Sequence, residues 1–200
     1  MASILKVDTI QDQSGNNIIN ENADTITIGA SGDTVNVVGT LQNNGTAFAQ
    51  GITGADQWRL TASITANTNP ISSNLERVDN TGFGKIGTGM SVSSGIWTYP
   101  STGLWRVEMN MEGNLGASDD LVTAWIRTYI SGSPTDVTII RIASDGTEND
   151  SASGSFLYNV TDTATHQTTF RIESIVGSTV IGDTDTNRTY FTFTRLGDSV

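Results

Sequence analysis

The chain has 200 residues, with 21 acidic side chains against 10 basic ones and a formal net charge of −11. Neutralising phosphates takes clustered lysine and arginine, so this balance argues against a nucleic-acid partner. Cysteine is absent, which excludes disulfide staples and thiol-ligated zinc. Hydrophobic residues make up 36% and charged residues 16%, both low for a soluble globular chain, while glycine (21 residues), threonine, serine and asparagine fill the difference. That mixture favours strands and turns, and no segment sustains the 3.6-residue apolar period of a helix. The expected fold class is all-β.

"MASILKVDTIQDQSG" opens the chain without an apolar core of signal-peptide length, and no run approaches the ~18 consecutive apolar residues of a membrane span. Export by a cleaved signal and a membrane partner are therefore not expected. Over the first 50 residues the apolar positions are sparse: Ile18, Ile19, Ile26, Ile28, Val35, Val37 and Leu41, separated by Asn, Gly and Asp. "TITI" (25–28) and "TVNV" (34–37) each alternate apolar with polar and flank "GASGD", which predicts a two-stranded hairpin. An isolated hairpin is marginal in water, so this one needs something to bury its face against. "QNNGTAFAQGITGADQ" reads as a linker. The texture changes at Trp58, the first of the four tryptophans, and the boundary is placed between an arm, 1–55, and a head, 56–200.

Strand candidates then follow at the spacing of a sandwich. "WRLTASITA" puts Trp58, Leu60, Ala62 and Ile64 on one face. "GIWTYP" and "GLWRVEMNMEG" are joined by "PSTG", with Trp105, Val107, Met109 and Met111 aligned; Trp97 and Trp105 are expected to flank a hairpin and enter one core. "LVTAWIRTYI" and "DVTIIRIAS" flank "SGSPT", a hairpin loop. "GSFLYNVT", "TTFRIES", "TVIGDT" and "RTYFTFTRLG" complete a two-sheet sandwich of eight to ten strands.

Residues with chemistry to offer are few. His166, the single histidine, sits in polar "TDTATHQTT" and is expected to be a solvated loop residue without a nucleophile elbow to serve. Asp119 and Asp120 form a carboxylate pair of the kind glycosidases use, and such pairs arise readily in acidic loops. "SDGTEND" (Asp145, Glu148, Asp150) and "GDTDTN" (Asp183, Asp185, Asn187) have the alternate-residue oxygens that Ca²⁺ takes, but neither has the glycine and distal glutamate of an EF-hand. Turn capping is the first reading of both clusters. No residue is assigned a catalytic, cofactor-binding or metal-ligating role, and a polysaccharide depolymerase lacks a site constellation.

From Val78 to Glu108 the chain resembles the trimeric jelly-roll heads of the complement first-component and tumour-necrosis-factor group. That family's signature is an Asn-x-Gly step, then Gly-x-aromatic-x-x-Pro-x-x-Gly-x-aromatic. Here it is Asn80 and Gly82, then Gly95, Trp97, Pro100, Gly103 and Trp105. The family's aromatic last strand is similar to Tyr190-Phe191-Thr192-Phe193, followed by Leu196; tryptophan replaces the usual Phe or Tyr, and Thr192 stands where Gly is common. The resemblance covers 58–197. The arm, "LKVDTIQDQSGNNIIN" followed by "TITIG…GDTVNV", resembles the openings of structural proteins of marine tailed bacteriophages, including cyanophages. Together these imply a homotrimeric structural protein on the exterior of a bacteriophage virion. The arm would assemble and dock on capsid or tail proteins, and the head would serve as a short fibre or knob, or as a capsid decoration. A lectin-like module that binds a host-surface glycan for host attachment is the alternative, with Tyr129 or Tyr158 as exposed stacking residues.

Overall fold

Trp105, Val107, Met109 and Met111 are all buried, while Arg106, Glu108, Asn110 and Glu112 on the opposite face keep solvent contact. This period of two defines a twelve-residue strand, and the chain is strands and turns throughout its described residues. The structure is a computed structural model, which describes residues 9–11, 13–15, 17–22, 25–29, 31–39, 41–43, 46–47, 51–143 and 149–200. In chain order the strands are β1 (Thr9–Gln11), β2 (Asn17–Asn22), β3 (Thr25–Ile28), β4 (Gln42–Asn43), β5 (Thr46–Ala47), β6 (Gly54–Leu60), β7 (Leu75–Arg77), β8 (Ser91–Ser93), β9 (Ile96–Thr98), β10 (Gly103–Asn114), β11 (Val122–Ile130), β12 (Ser133–Ile142), β13 (Asn149–Val160), β14 (His166–Glu173), β15 (Thr179–Val180) and β16 (Tyr190–Gly197).

Two compact units divide the chain, Met1–Phe48 and Ala49–Val200. In the first, β1, β2 and β3 form an antiparallel meander, and β4 pairs with β5. The expected hairpin between 25–28 and 34–37 is not formed. β3 pairs instead with β2, Asn22 opposite Thr25, and among the described residues 33–38 has no strand partner. Pairing with the immediately preceding segment closes a two-residue connection rather than a five-residue one, and two-residue loops are the commonest hairpin closures.

In the second unit two antiparallel sheets face each other. Sheet I runs β13-β10-β16-β6-β7, with β15 also paired to β10; sheet II runs β12-β11-β14-β9-β8. Their inner faces supply the core, whose aromatic centre is Trp97 with Phe170 from sheet II and Trp58, Phe191 and Phe193 from sheet I. Trp105 is reached through Tyr99, 5.3 Å away. Both signature tryptophans are core, as expected, but "PSTG" does not close a hairpin: β9 and β10 belong to different sheets, so this turn carries the chain across the sandwich. Pro100 has no N–H to continue a ladder. Gly103 adopts φ +147°, and a Cβ there would lie 2.5 Å from Arg195 Nε and 2.6 Å from the Gly197 carbonyl. "WRLTASITA" is shorter than expected; β6 stops at Leu60, Ala62 is exposed, and Ile64 makes only an isolated bridge to Val180. The β11–β12 hairpin forms, tightened to the two residues Ser131 (φ +50°) and Gly132 (φ +81°), both positive as a type I′ turn requires.

Candidate functional site

The residues singled out for chemistry are placed apart and put to structural use. His166 is buried, 6% exposed, at the start of β14, which corrects the expectation of a solvated loop. Its ring lies 5.5 Å from the Tyr158 ring, and its nitrogens lie 3.1 Å from Thr165 Oγ1 and 3.4 Å from Thr161 Oγ1. The Asp162 carbonyl accepts its backbone N–H, closing the turn that delivers it to the sheet. Asp119 is buried while Asp120 is exposed. The Asp119 carboxylate accepts backbone N–H bonds from Val176, Gly177 and Ser178 at 2.7–3.1 Å. These donors, with the Ser178 hydroxyl foremost, hold its pKa down at about 2. It clamps the β14–β15 loop, and its neighbour does not join it in a catalytic pair.

Asp183 accepts from the N–H groups of Asp185 (2.8 Å) and Thr186 (2.7 Å), an Asx turn that lowers its pKa. Asp150 accepts from Ser151 N at 2.7 Å. Asp145 and Glu148 lie outside the described residues, and among those described no group of three or more His, Asp or Glu is placed to hold a metal. Tyr158 is buried, its hydroxyl donating to the Tyr129 carbonyl at 2.6 Å, so it offers no stacking face; Tyr129 is half-buried.

Sequence reasoning missed the ionic network at β6 and β7. Asp56 is buried and accepts from Trp58 Nε1 (2.9 Å), Arg77 (3.0–3.2 Å) and the Met90 N–H (2.8 Å). On the opposite face of β6, Arg59 is buried, donating to Glu76, Asp79 and Asn80. Asn80 passes the connection on, donating to the Asp185 carbonyl at 2.7 Å. The signature asparagine thus ties two loops to β6 through a buried guanidinium. Nothing local in the sequence marks Arg59 for burial, because its partners are 17 to 21 positions away along the chain.

Two surfaces remain, one on the outside of each sheet. Outside sheet I lie Leu157 (55% exposed), Leu196 (47%), Thr192, Ser155 and Ser153, and its charges are paired: Arg106 with Glu108 at 2.7 Å, Glu112 with Arg188, and Glu76 with Arg59. This face is apolar to neutral. Outside sheet II the character reverses: Trp125, Tyr129, Arg127, Arg141, Arg171, Asp136 and Glu173 stand on neighbouring strands. Asp136 bridges Arg127 and Arg171, 2.7 Å from each, and Glu173 also pairs with Arg171. The Arg127 hydrogen bond foremost holds the Asp136 carboxyl below the ordinary carboxylate range, against the effect of its partial burial.

The chain aligns over 76% of its length, and 96% of the other's, with the Eiger TNF of S. frugiperda, at a TM-score of 0.56 and 10% identity. Murine APRIL aligns at 0.55 and 10%, covering 72% of this chain and 98% of that one. The head is a jelly roll. Identity this low speaks for the fold alone. The vertex protein P5 of PRD1 aligns more loosely, at 0.46 and 17%, over 74% of this chain and 100% of that one. No protein-family model matches the sequence, and no curated protein is similar to it.

Proposed function

We propose that this protein is a non-enzymatic, homotrimeric surface protein of a tailed-bacteriophage virion. Residues 1–55 trimerise and dock on capsid or tail proteins, and the jelly-roll head, 56–200, faces the medium as a short fibre, knob or decoration. One observation carries the reading: among the described residues, the arm leaves large apolar side chains in solvent. Ile26 is 67% exposed and Val38 94%, with Ile28, Val35, Val37 and Leu41 also exposed. A single thread of such short strands has no core to offer them, whereas three threads side by side, or a particle surface, would bury them. The arm's resemblance to phage structural proteins supports the virion as the place. The head contributes the outer face of sheet I, whose exposed Leu157 and Leu196 stand with threonine and serine beside the mutually paired Arg106 and Glu108. The engagement of His166, Asp119 and Asp183 in loop construction supports a role without chemistry.

Light scattering of the full chain at micromolar concentration tests the assembly, and three copies are expected. Ile26→Asp with Val35→Asp places unpaired charge on the faces to be covered. That variant is expected to dissociate at the arm and to be missing from purified particles in a complementation assay. A stable wild-type monomer, or a double variant that appears on particles at wild-type level, would overturn the proposal.

A further inference from the structure

The outer face of sheet II is a basic and aromatic island on a chain of net charge −11. Three of the eight arginines, Arg127, Arg141 and Arg171, meet there around Trp125. Arg141 is exposed, and no ion pair engages it among the described residues. Arg171 lies over the Trp125 ring, its guanidinium carbon 4.8 Å from the centroid. In this stacked pair Trp125 Nε1 and Arg171 Nε are both shut from solvent, and neither has a hydrogen-bond partner. Buried idle donors are costly and uncommon, and two of them in one stacked pair call for an explanation.

We propose that this face binds an acidic saccharide, with Trp125 as the stacking platform and Arg141 as the carboxylate partner. Arg171 is a displaceable cover. When it swings off the ring, its partner Asp136 keeps Arg127 at 2.7 Å, and Glu173, whose side chain is partly exposed, turns to water, so neither carboxylate is left unpaired in the interior. The released indole offers its electron-rich face to the C–H groups of a pyranose ring. The two idle N–H groups then gain ring hydroxyls as acceptors. Arg141 stands one pair of residues along β12 from Ile139, the cross-strand neighbour of Trp125, within reach of a carboxylate on the stacked sugar. An acidic peptide would use the arginines but would leave the indole face and its N–H without purpose. The inference rests on the head being the outward part of the assembly, and it leaves the outer face of sheet I free for contact between copies.

The test titrates the full-length protein with three probes: a uronic-acid hexasaccharide, a neutral glucan hexasaccharide and a hexaglutamate peptide. Calorimetry and tryptophan fluorescence read the outcome. The uronate is expected to bind at least about tenfold tighter than either of the others, with one tryptophan perturbed. Arg141→Ala should weaken it at least about tenfold with melting temperature and oligomeric state unchanged, and Arg141→Lys should recover part of the loss. Trp125→Ala should abolish both binding and the fluorescence change. If that variant fails to fold, Trp125→Phe keeps a smaller ring and should bind with reduced affinity. Absence of uronate binding at millimolar concentration, equal binding of hexaglutamate or of the neutral glucan, or an Arg141→Ala protein that binds like wild type would overturn the inference. Light scattering on the same samples reports the trimer separately, so failure of the assembly reading and failure of the saccharide site give different results.

Discussion

Trp97 joins the two sheets, and its removal offers the sharpest test of the head's architecture. The indole is fully buried, standing 5.0 Å from Phe193, 5.2 Å from Trp58, 5.8 Å from Phe191 and 6.0 Å from Phe170. Truncating a buried aromatic to alanine costs about 3–5 kcal/mol in transfer and cavity terms. Each aromatic pair adds about 0.5–1.5 kcal/mol beyond area. These pairs do not sum, because they share one cluster and the truncation cost already includes part of the same contacts. The upper half of the range, about 4–5 kcal/mol, is therefore expected for Trp97→Ala. At about 2–4 °C per kcal/mol for a domain of this size, the melting temperature should fall by about 8–20 °C. Trp97→Phe keeps a ring between the sheets and should lose about 1–3 kcal/mol. Calorimetry with urea denaturation, read against near-ultraviolet circular dichroism, measures both. A Trp97→Ala protein melting within about 2 °C of wild type would refute the reasoning, because a side chain that joins two sheets cannot be removed at no cost.

The remaining expectations concern charge. Asp119 has its pKa lowered from 3.8 to about 2 by its hydrogen bonds, so the folded state holds the carboxylate form more tightly than the unfolded chain does. Its contribution is complete above about pH 4 and is lost as the pH falls towards 2; urea titrations of wild type and Asp119→Asn should converge across that window, and a constant difference would exclude the clamp. Asp56→Ala strands Arg77, the Trp58 N–H and the Met90 N–H together, and about 3–5 kcal/mol of destabilisation is expected by denaturant titration. A loss under about 1 kcal/mol would mean that the network is solvated rather than buried.

Burial period and turn chemistry are local properties, and they were legible in the sequence. The facing of Trp105, Val107, Met109 and Met111 follows from alternation alone, because successive Cβ atoms of a strand point to opposite sides whatever the partner. The Ser131–Gly132 turn follows from residues that tolerate positive φ between two apolar runs. The core roles of Trp97 and Phe193 follow from size and apolarity, and the all-β class from composition. The arm's apolar residues are few and separated by Asn, Gly and Asp, and Ile26, Ile28, Val35 and Val37 among them are exposed.

Which strand lies beside which was decided only in three dimensions. β9 and β10 are joined by four residues yet belong to opposite sheets, while β6 finds β16 across most of the head. Pairing depends on backbone ladders that any strand can offer, so the choice is made by how all the inner faces fill one core at once. His166 is polar and sits in a polar stretch, yet it is buried because β14 must begin there to pair with Ile130. Arg59 is buried for a like reason: carboxylates from β7 and the loop after it, with Asn80, converge on it and offset its desolvation. The basic and aromatic face of sheet II exists only because Trp125, Arg141 and Arg171, up to 46 positions apart along the chain, come into register on adjacent strands. A pattern of period two assigns each of those side chains to a face of its own strand, but only the assembled sheet sets them beside one another.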